Sequence, residues 1–490
     1  MRAAKKQIHA SSRRILKWTS INWKNVKKKV KELQMRIAKA VREGKLRLVK
    51  SLQWLLTHSF YGKLFAIRRV VTNKGKATPG SDGVVWNSSK KKMQAVNLLS
   101  RRGYRPFPLR RVYIRKKNGK LRPLSIPTMR DRAMQALYAL ALVPVAETIG
   151  DLNSYGFRDG RCCADAIKQC YNCLTKRHSS RWILEADIQA CFDRIDHEWM
   201  LNNILTDKKI LRSWLSAGYI DEGKFYPTKA GTPQGSVISP VLANMTLDGL
   251  ESAIRNAVPK NAKVNMIRYA DDFIVTGKSE EILQKKVKPV IRAFLSQRGL
   301  NLSGEKTRIT RIENGFDFLG QHLRKFGDKF IVTPSKNSVK GIVSKTKKVI
   351  KSHLGNATAE MLRELNPVIR GWANYHRHAC SKKAFNYVDS RIFNNLWIWA
   401  KRRHQDKKVQ WIRNRYFRTI GNRQWCFFAT KKAEGGGVGV IDLVYMATVK
   451  IVRHTKIRGK ANPYDNRWQS YFSKRSLGTY NPAIKSALCC

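Results

Sequence analysis

The sequence IRYADDFIVT, residues Ile267 to Thr276, places two adjacent aspartates between short runs of β-branched and aromatic residues. Such runs are typical of strands, and the acidic pair between them predicts a tight turn. Adjacent carboxylates repel each other and lose hydration when buried, so Asp271 and Asp272 are best tolerated if divalent cations neutralise them. Aspartate is also a common turn residue, and spacing alone leaves both roles open.

A third aspartate, Asp187, lies in a predicted strand, WILEADI, residues Trp182 to Ile188. Ile188 places a backbone carbonyl beside it. Three carboxylates on adjacent strand ends fit a two-magnesium site for phosphoryl transfer, in which one ion activates a 3′-hydroxyl and the other stabilises the leaving pyrophosphate. Asp187 could instead cap a helix, which is another common role for aspartate.

The composition predicts a globular protein that binds a polyanion. The chain has 490 residues, and its 97 Lys and Arg against 33 Asp and Glu give a formal net charge of +64. Its 42% hydrophobic residues are too many for a disordered basic tail and suffice for roughly two to four domains. Nucleic acid is the expected partner, because neutralised phosphates release counterions. No membrane contact is expected, since the apolar run from Ala133 to Ala146 is shorter than the roughly 20 residues that span a bilayer.

The cysteines indicate a reducing compartment. Nine of them are scattered along the chain, with adjacent pairs at 162–163 and 489–490. This is unlike a disulfide framework, and no second Cys-x-x-Cys or histidine stands at zinc-finger spacing from Cys170 and Cys173. A bacterial cytoplasm is expected from these cysteines and from the absence of a targeting signal, although an organellar gene product would look similar.

Helical patterns dominate both ends of the chain. From Trp23 to Val41, apolar residues recur at helical spacing between lysines, which predicts an amphipathic helix with a basic outer face. A similar lysine-faced stripe begins at Val339, and Phe385 to Arg403 is helical and rich in Trp and Phe. Strand signals fade after about Thr333, and the glycine run at 435–437 indicates a turn or linker.

A basic hairpin is predicted before the acidic strands. Arg110 to Arg115 and Leu121 to Ile126 are typical of strands, and Asn118-Gly119 is a strong turn signal between them. Helical stretches separate the strands further along, so the middle third is a mixed α+β domain. The cationic side chains near the hairpin tip are Lys116, Lys117, Lys120 and Arg122.

The tetrapeptide Tyr269-Ala270-Asp271-Asp272 between apolar strands resembles the signature of reverse transcriptases. The surrounding blocks resemble those of group II intron-encoded reverse transcriptase/maturases and occur in that family's order. They are PGSDGV (79–84), GKLRPLSIPTMRDR (119–132), EADIQACFDRIDH (185–197), GTPQGSVISPVLAN (231–244), RYADDFIV (268–275), LNLSGEKT (300–307), FDFLG (316–320), LNPVIRGWANYH (365–376) and IVRHTKIRGKANPYD (451–465).

The resemblance implies an α+β, right-hand polymerase fold of fingers and palm, followed by an α-helical thumb and a small basic C-terminal domain. The expected domains are a basic helical N-terminal extension (1–70), reverse transcriptase fingers and palm (71–333), a helical thumb or maturase domain (334–420) and a basic DNA-binding region (421–490). Many relatives continue into a His-Asn-His endonuclease, which does not follow here. No second-strand DNA cleavage is therefore expected of this chain.

The resemblance also assigns the metal site. It implies that Asp187, Asp271 and Asp272 are catalytic and bind Mg²⁺ together with the backbone carbonyl of Ile188. The loop at 318–320 would hold the primer end.

The resemblance further assigns the nucleotide site. Lys116 and Arg122 match finger residues that contact the triphosphate, a role for which both cations are suited. Gln234 matches a residue beside the incoming nucleotide. Phe192 matches a bulky residue that would exclude a ribose 2′-hydroxyl, although it could also be core packing. Lys306 matches a proposed general acid for pyrophosphate departure, although an ordinary surface lysine would look the same.

The implied function is that of an RNA-directed DNA polymerase that also binds its parent intron, promotes its splicing and copies it into DNA during intron mobility. The implied partners are group II intron RNA, target DNA, an RNA template with a DNA primer, and deoxynucleoside triphosphates. Candidate RNA surfaces are the N-terminal helix, the lysine-faced helix from Val339 and the region near Trp397, Trp399 and Trp411.

Three alternatives stay open. The chain could be a reverse transcriptase recruited to a role outside introns, against which the thumb and DNA-binding blocks argue. It could be a maturase that only binds RNA, which the presence of all three aspartates disfavours. It could also be an RNA-directed RNA polymerase, which Phe192 disfavours.

Overall fold

The computed structural model of the protein describes residues 17–115, 119, 121–432 and 438–478. The helices are α1 (Trp23–Arg42), α2 (Leu46–His58), α3 (Phe60–Thr72), α4 (Ser89–Leu98), α5 (Met129–Ile149), α6 (Cys163–Leu174), α7 (Cys191–Arg194), α8 (His197–Asn203), α9 (Lys208–Leu215), α10 (Ser239–Leu247), α11 (Leu250–Asn256), α12 (Lys288–Ser296), α13 (Lys336–Ser352), α14 (Thr358–His376), α15 (Lys382–Arg403), α16 (Val409–Tyr416) and α17 (Gln469–Gly478). The strands are β1 (Leu109–Arg115), β2 (Leu121–Ile126), β3 (Trp182–Asp187), β4 (Tyr219–Asp221), β5 (Lys224–Tyr226), β6 (Asn265–Tyr269), β7 (Asp272–Gly277), β8 (Arg308–Arg311), β9 (Phe316–Phe318), β10 (Gln321–Phe326), β11 (Lys329–Pro334), β12 (Phe417–Ile420), β13 (Arg423–Lys432) and β14 (Val438–Asp442). Shorter helical turns lie at Trp18–Ser20, Lys260–Ala262, Ile282–Val287, Met446–Thr448 and Asn466–Trp468.

The N-terminal helices α1, α2 and α3 pack against α5 in the first apolar core. Helix α1 begins after Asn22, whose side-chain oxygen accepts a hydrogen bond from the Asn25 N–H at 3.1 Å and so satisfies a free donor of the first turn. Its inner face buries Val26 and Ile37, and its lysines remain exposed. The predicted amphipathic helix is therefore confirmed.

The apolar run from Ala133 to Ala146 lies within α5, which is buried along most of its length. It is thus a core helix of the globular fold. None of the helices in the described residues is long and apolar enough to cross a membrane.

The fingers contain the predicted hairpin. Strands β1 and β2 pair antiparallel, and β1 also pairs with β4 in parallel, which gives a four-stranded sheet of order β2-β1-β4-β5. The hairpin tip residues Lys116, Lys117, Asn118 and Lys120 lie outside the described residues.

The palm sheet has the order β6-β7-β3-β8 and is buried on both faces. Leu184 and Val275 join the first apolar core, whereas Ile183 and Ile274 join a second cluster on the opposite face. Because side chains alternate between the faces of a strand, this double burial fixes the register of β3 against β7. That register decides which residues meet at the strand ends.

The C-terminal third contains strands that the sequence pattern did not predict. Helices α13, α14 and α15 share a core with the sheet β12-β13-β14, in which Phe417 and Phe427 are buried. The interpretation that strands end after Thr333 is therefore wrong. The alternation by which strands are recognised is absent here, because Arg418 interrupts β12 and the apolar run from Trp425 to Ala429 in β13 is continuous.

The same core corrects one candidate RNA surface. Trp399 is 3% exposed, and its indole N–H donates to the His353 carbonyl at 3.2 Å. It is therefore unavailable for stacking on RNA. Trp397 is half-buried against the core, and Trp411 remains 40% exposed.

Candidate active site

The structure brings the three predicted catalytic aspartates together at one edge of the palm sheet. In the pairing of β3 with β7, Asp187 lies directly opposite Asp272. Asp271 occupies the turn between β6 and β7, where Ala270 has a left-handed φ of +58°. Asp271 therefore lies in the hairpin turn, while Asp272 begins β7 and faces the third carboxylate.

Burial and like charge raise the pKa of two of these carboxyl groups. Loss of hydration is the main cause for Asp271, and the charge of Asp187 adds to it. Loss of hydration and the charges of Asp271 and Asp187 raise the pKa of Asp272 to about 6, although its side chain still touches solvent. Carboxylates crowded in this way become fully ionised when a cation lies between them, so this donor set suits divalent metal ions.

Ile188 continues β3 past the last carboxylate. The Asp187 carbonyl accepts from the Ser303 N–H at 2.8 Å, and the Gln189 N–H donates to the Asn301 carbonyl at 2.9 Å. These bonds hold the backbone on both sides of Ile188. Among the described residues, no donor is bonded to the Ile188 carbonyl oxygen, which leaves it available as a ligand.

Lys306 reaches the same site from the loop that precedes β8. Its ammonium group lies 2.6 Å from a carboxylate oxygen of Asp187, and this hydrogen bond raises the pKa of Lys306. The lysine side chain is 66% exposed, whereas that of Asp187 is 17% exposed. The lysine is thus a protonated, movable group at the edge of the site.

Two of the predicted nucleotide contacts surround the Pro-Gln-Gly turn. The Gln234 carbonyl accepts from the Ser125 N–H of β2 at 2.8 Å, which joins this turn to the fingers. Phe192 lies on α7, and its carbonyl accepts from the Thr232 N–H at 2.6 Å. The Phe192 side chain is half-buried, with its ring 6.4 Å from that of Phe157.

Arg122 is the remaining predicted nucleotide contact among the described residues. Arg122 is exposed on β2, opposite Ile114, and its charge acts on Asp271 by lowering the pKa of that carboxyl group. The arginine therefore faces the carboxylate edge. Lys116 lies outside the described residues.

The acidic turn is supported by a set of buried residues that the sequence interpretation did not identify. Arg268, which is 0% exposed, donates to Asp248 at 2.5 Å and to Asn244 at 3.2 Å. Asn244 in turn donates to the Gly156 carbonyl at 2.8 Å. Gly156 packs so closely that a Cβ there would lie 2.4 Å from the backbone nitrogen of Ala270. The available sequence signal was an arginine within an apolar strand pattern, three positions before Asp271.

The loop at 318–320 is tied to the thumb. Leu319 has a φ of +49°, and its carbonyl accepts from the Tyr375 hydroxyl of α14 at 2.7 Å. Burial raises the pKa of the Cys163 thiol, and the neighbouring hydroxyl groups of Tyr269 and Tyr375 oppose that rise. Tyr375 thus joins the loop to the thumb helix and lies near Tyr269, which precedes the acidic turn.

A second group of possible metal ligands, Cys162, Asp165 and His454, lies apart from the three aspartates. Asp165 is 0% exposed and accepts from His454 at 2.8 Å, from the Ile457 N–H at 2.7 Å and from Arg475 at 3.1 Å. A guanidinium at that carboxylate competes with a cation. These contacts attach the C-terminal segment to the start of α6.

Comparisons with known proteins agree with this arrangement. Residues 114–323 match the family described as reverse transcriptase (RNA-dependent DNA polymerase). Residues 18–99 match the N-terminal domain of reverse transcriptase, and residues 339–417 match the group II intron, maturase-specific domain. The expected right-hand polymerase fold with a maturase-type thumb is thereby confirmed.

Curated relatives include bacterial proteins. Protein YkfC of Escherichia coli is 32% identical over 337 residues, which cover 59% of this chain and 86% of that protein. Group II intron-encoded protein LtrA of Lactococcus lactis is 29% identical, over 65% of this chain and 62% of its own length. A solved telomerase chain from Candida albicans aligns over 63% of this chain and 66% of its own with a TM-score of 0.38 and 12% identity, too little to argue from. The chain therefore belongs to the group II intron-encoded reverse transcriptase/maturase family.

Proposed function

We propose that the protein extends a DNA primer on an RNA template at the site formed by Asp187, Asp271 and Asp272. The observation that carries this proposal is the register of the palm sheet, which sets Asp187 opposite Asp272 with Asp271 in the adjoining turn. A cluster of carboxylates is unusual in a chain with a net charge of +64, where cationic side chains are far more abundant.

The same carboxylates and the free carbonyl of Ile188 would hold two Mg²⁺ ions. When bound, the ions activate the primer 3′-hydroxyl and stabilise the departing pyrophosphate. The protein contributes by positioning: paired strands fix Asp187 and Asp272, so little reorganisation is needed when the ligands assemble.

Other side chains would bind and select the nucleotide. Arg122, exposed on the finger hairpin and acting on Asp271, would contact the triphosphate, and Lys116 is proposed to share that role. Gln234 would lie beside the incoming nucleotide. The half-buried ring of Phe192 would leave no room for a ribose 2′-hydroxyl. Lys306 would protonate the leaving pyrophosphate from its position beside Asp187.

A primer-extension assay tests the polymerase site. With an RNA template, a DNA primer, Mg²⁺ and deoxynucleotides, Asp271→Asn should lower the extension rate by at least about a hundredfold. Asp328→Asn, in the exposed β10–β11 turn, is the matched control and should keep the wild-type rate. Equal rates for the two variants would refute the assignment, and a wild-type protein without any extension activity would leave only the splicing role.

We also propose that the protein binds its parent group II intron RNA and promotes its splicing. The exposed lysines of α1 and α13 form two basic surfaces that suit the RNA backbone. They are Lys24, Lys27, Lys28, Lys29 and Lys31 on α1, and Lys340, Lys345, Lys347, Lys348 and Lys351 on α13. Splicing of the parent intron at low Mg²⁺, with and without protein, measures this role, and equal splicing rates would end it.

Copying of the intron into target DNA would use the C-terminal segment. Lys450, Arg453, Arg458 and Lys460 are exposed there and are proposed to contact DNA phosphates. The described cysteines are free, which suits a reducing compartment such as a bacterial cytoplasm or an organelle.

A further inference from the structure

A cavity of about 770 Å³ lies between helix α1, the junction of α2 and α3, and the segment at 465–467. Cavities that bind small ligands usually measure roughly 300–1,000 Å³. None of the three catalytic carboxylates lines this cavity, so it is a separate site.

Part of the cavity lining is apolar. This apolar part, the floor, consists of Leu33 and Met35 of α1, Leu55 of α2 and Tyr61 of α3. Leu55 is 43% exposed and Tyr61 is 37% exposed, so apolar surface faces water. Contiguous exposed apolar surface in a concave site commonly marks a binding site.

The rim of the cavity carries an excess of cations, although Glu32 also lines it and pairs with Lys29 at 3.6 Å. Lys29, Arg36, Lys39 and Arg42 recur at helical spacing along one side of α1 and all line the cavity. Arg36 is exposed and has no ion-pair partner among the described residues. An anionic ligand would supply that partner.

The C-terminal segment closes the third wall. Asp465 is 8% exposed and accepts from Arg42 at 2.6 Å and from Arg467 at 2.7 Å. These two bonds neutralise the carboxylate and hold both guanidinium groups at the rim. The Asp465 carboxylate therefore fixes the positions of the two guanidinium groups, and because its charge is neutralised it does not repel an anionic ligand.

We propose that this cavity binds one unpaired nucleotide of a structured RNA, with its base on the apolar floor and its adjoining phosphates on the cationic rim. A nucleotide has an apolar base and a negatively charged phosphate linkage. A site that binds both parts therefore needs apolar surface next to cationic side chains, as this cavity has. A base inside a duplex is stacked on both sides and cannot enter, so the cavity distinguishes an extruded nucleotide from a regular helix. The proposal rests on the proposed RNA-binding function.

The test compares two RNA hairpins that differ only by one bulged 2-aminopurine nucleotide. The full-length protein should bind the bulged hairpin about tenfold more tightly, and stacking on Tyr61 should quench the fluorescence of the bulged base. Leu55→Trp fills the floor without changing charge and should abolish this preference. Arg36→Gln should weaken binding of the bulged hairpin more than that of the unbulged one, and should reduce the salt dependence of the bulged hairpin by about one phosphate contact.

The control is Trp54→Ala on the same helix. Trp54 is 59% exposed and does not line the cavity, so the preference for the bulge should persist in this variant. Thermal melting establishes that each variant is folded. Equal binding of the two hairpins by the wild-type protein, or a preference that survives Leu55→Trp, would overturn the proposal. Neither result depends on primer extension, which tests the polymerase function separately.

Discussion

The ammonium group of Lys306 lies 2.6 Å from a carboxylate oxygen of Asp187, although the two residues are 119 positions apart in the chain. The bond joins the loop before β8 to the end of β3, and it places a cation among three carboxylates. In the proposed mechanism, Lys306 competes with Mg²⁺ for Asp187 and supplies a proton donor at the site.

Replacing Lys306 with Ala separates these two effects. Without the ammonium group, the rate of nucleotide addition should fall by about a hundredfold, because the leaving pyrophosphate loses its proton donor. The Mg²⁺ concentration needed for half-maximal activity should fall as well, because Asp187 is no longer paired. Both quantities come from Mg²⁺ titrations of primer extension. Lys285→Ala removes a surface lysine that pairs with Glu281 and should change neither.

Replacing Phe192 with Ala should relax the choice of sugar. The half-buried ring lies next to Phe157, and its removal opens space where a 2′-hydroxyl could enter. The ratio of deoxynucleotide to ribonucleotide incorporation should fall by at least about tenfold. Phe326→Ala removes an exposed ring on β10 and is the matched control. An unchanged ratio for the Phe192 variant would assign that ring to packing alone.

Replacing Gly156 with Ala should displace the backbone of the acidic turn and so reduce activity. The new Cβ would lie 2.4 Å from the Ala270 nitrogen, which is backbone and cannot move without shifting Asp271. Primer extension should fall by at least about a hundredfold, since misplacement of about 1 Å has that effect. Gly371→Ala is a control on the exposed side of α14, where nothing lies within 4 Å, and should raise helix stability slightly. Full activity of the Gly156 variant would contradict the proposed support.

Replacing Asp165 with Ala should destabilise the protein. Burial alone would raise the pKa of Asp165, but bonds from His454 and the charge of Arg475 outweigh it and lower the pKa. Its loss leaves the donors of His454 and Arg475 without their acceptor, at a cost of about 3–5 kcal/mol. Asp442→Ala breaks the exposed Arg418 pair and should cost less than about 1 kcal/mol. Chemical denaturation compares the two, and equal losses would show that Asp165 is not a structural lock.

Stability should fall in acid because of His376. This histidine is 0% exposed, and burial lowers its pKa to about 3. The folded protein keeps this imidazole neutral, whereas the unfolded chain takes up a proton below pH 6.5. The free energy of unfolding is therefore unaffected by this group above pH 6.5 and decreases as the pH falls from 6.5 towards 3. The slope is about 1.4 kcal/mol per pH unit.

His376→Gln measures this contribution. The glutamine amide can replace the ring nitrogen that lies 3.0 Å from the Ser338 hydroxyl, but it does not titrate. Unfolding free energies measured between pH 5 and 7 should therefore depend less on pH in the variant. An identical pH dependence would place the acid sensitivity elsewhere.

Local patterns predicted much of the fold and the identity of the acidic site residues. Helix α1, the finger hairpin and the strands around Asp187 and Asp271 follow from apolar periodicity, which is a property of neighbouring residues. The strands β12 to β14 were missed, since β12 and β13 lack a regular apolar alternation and β14 follows a glycine run in the sequence. Trp399 was misjudged because its burial depends on α13 and β13, which lie far away in the chain.

The order of residues along the chain by itself determined that this is a basic, globular protein with aspartates at the ends of two strands. Only the tertiary structure decided that Asp187 faces Asp272, that Lys306 reaches them, and that Gly156 and Arg268 hold the turn. The physical reason is that strand register and side-chain contact depend on burial of both sheet faces. Such burial involves residues more than a hundred positions apart. A pattern among neighbouring residues therefore cannot predict which of them come into contact.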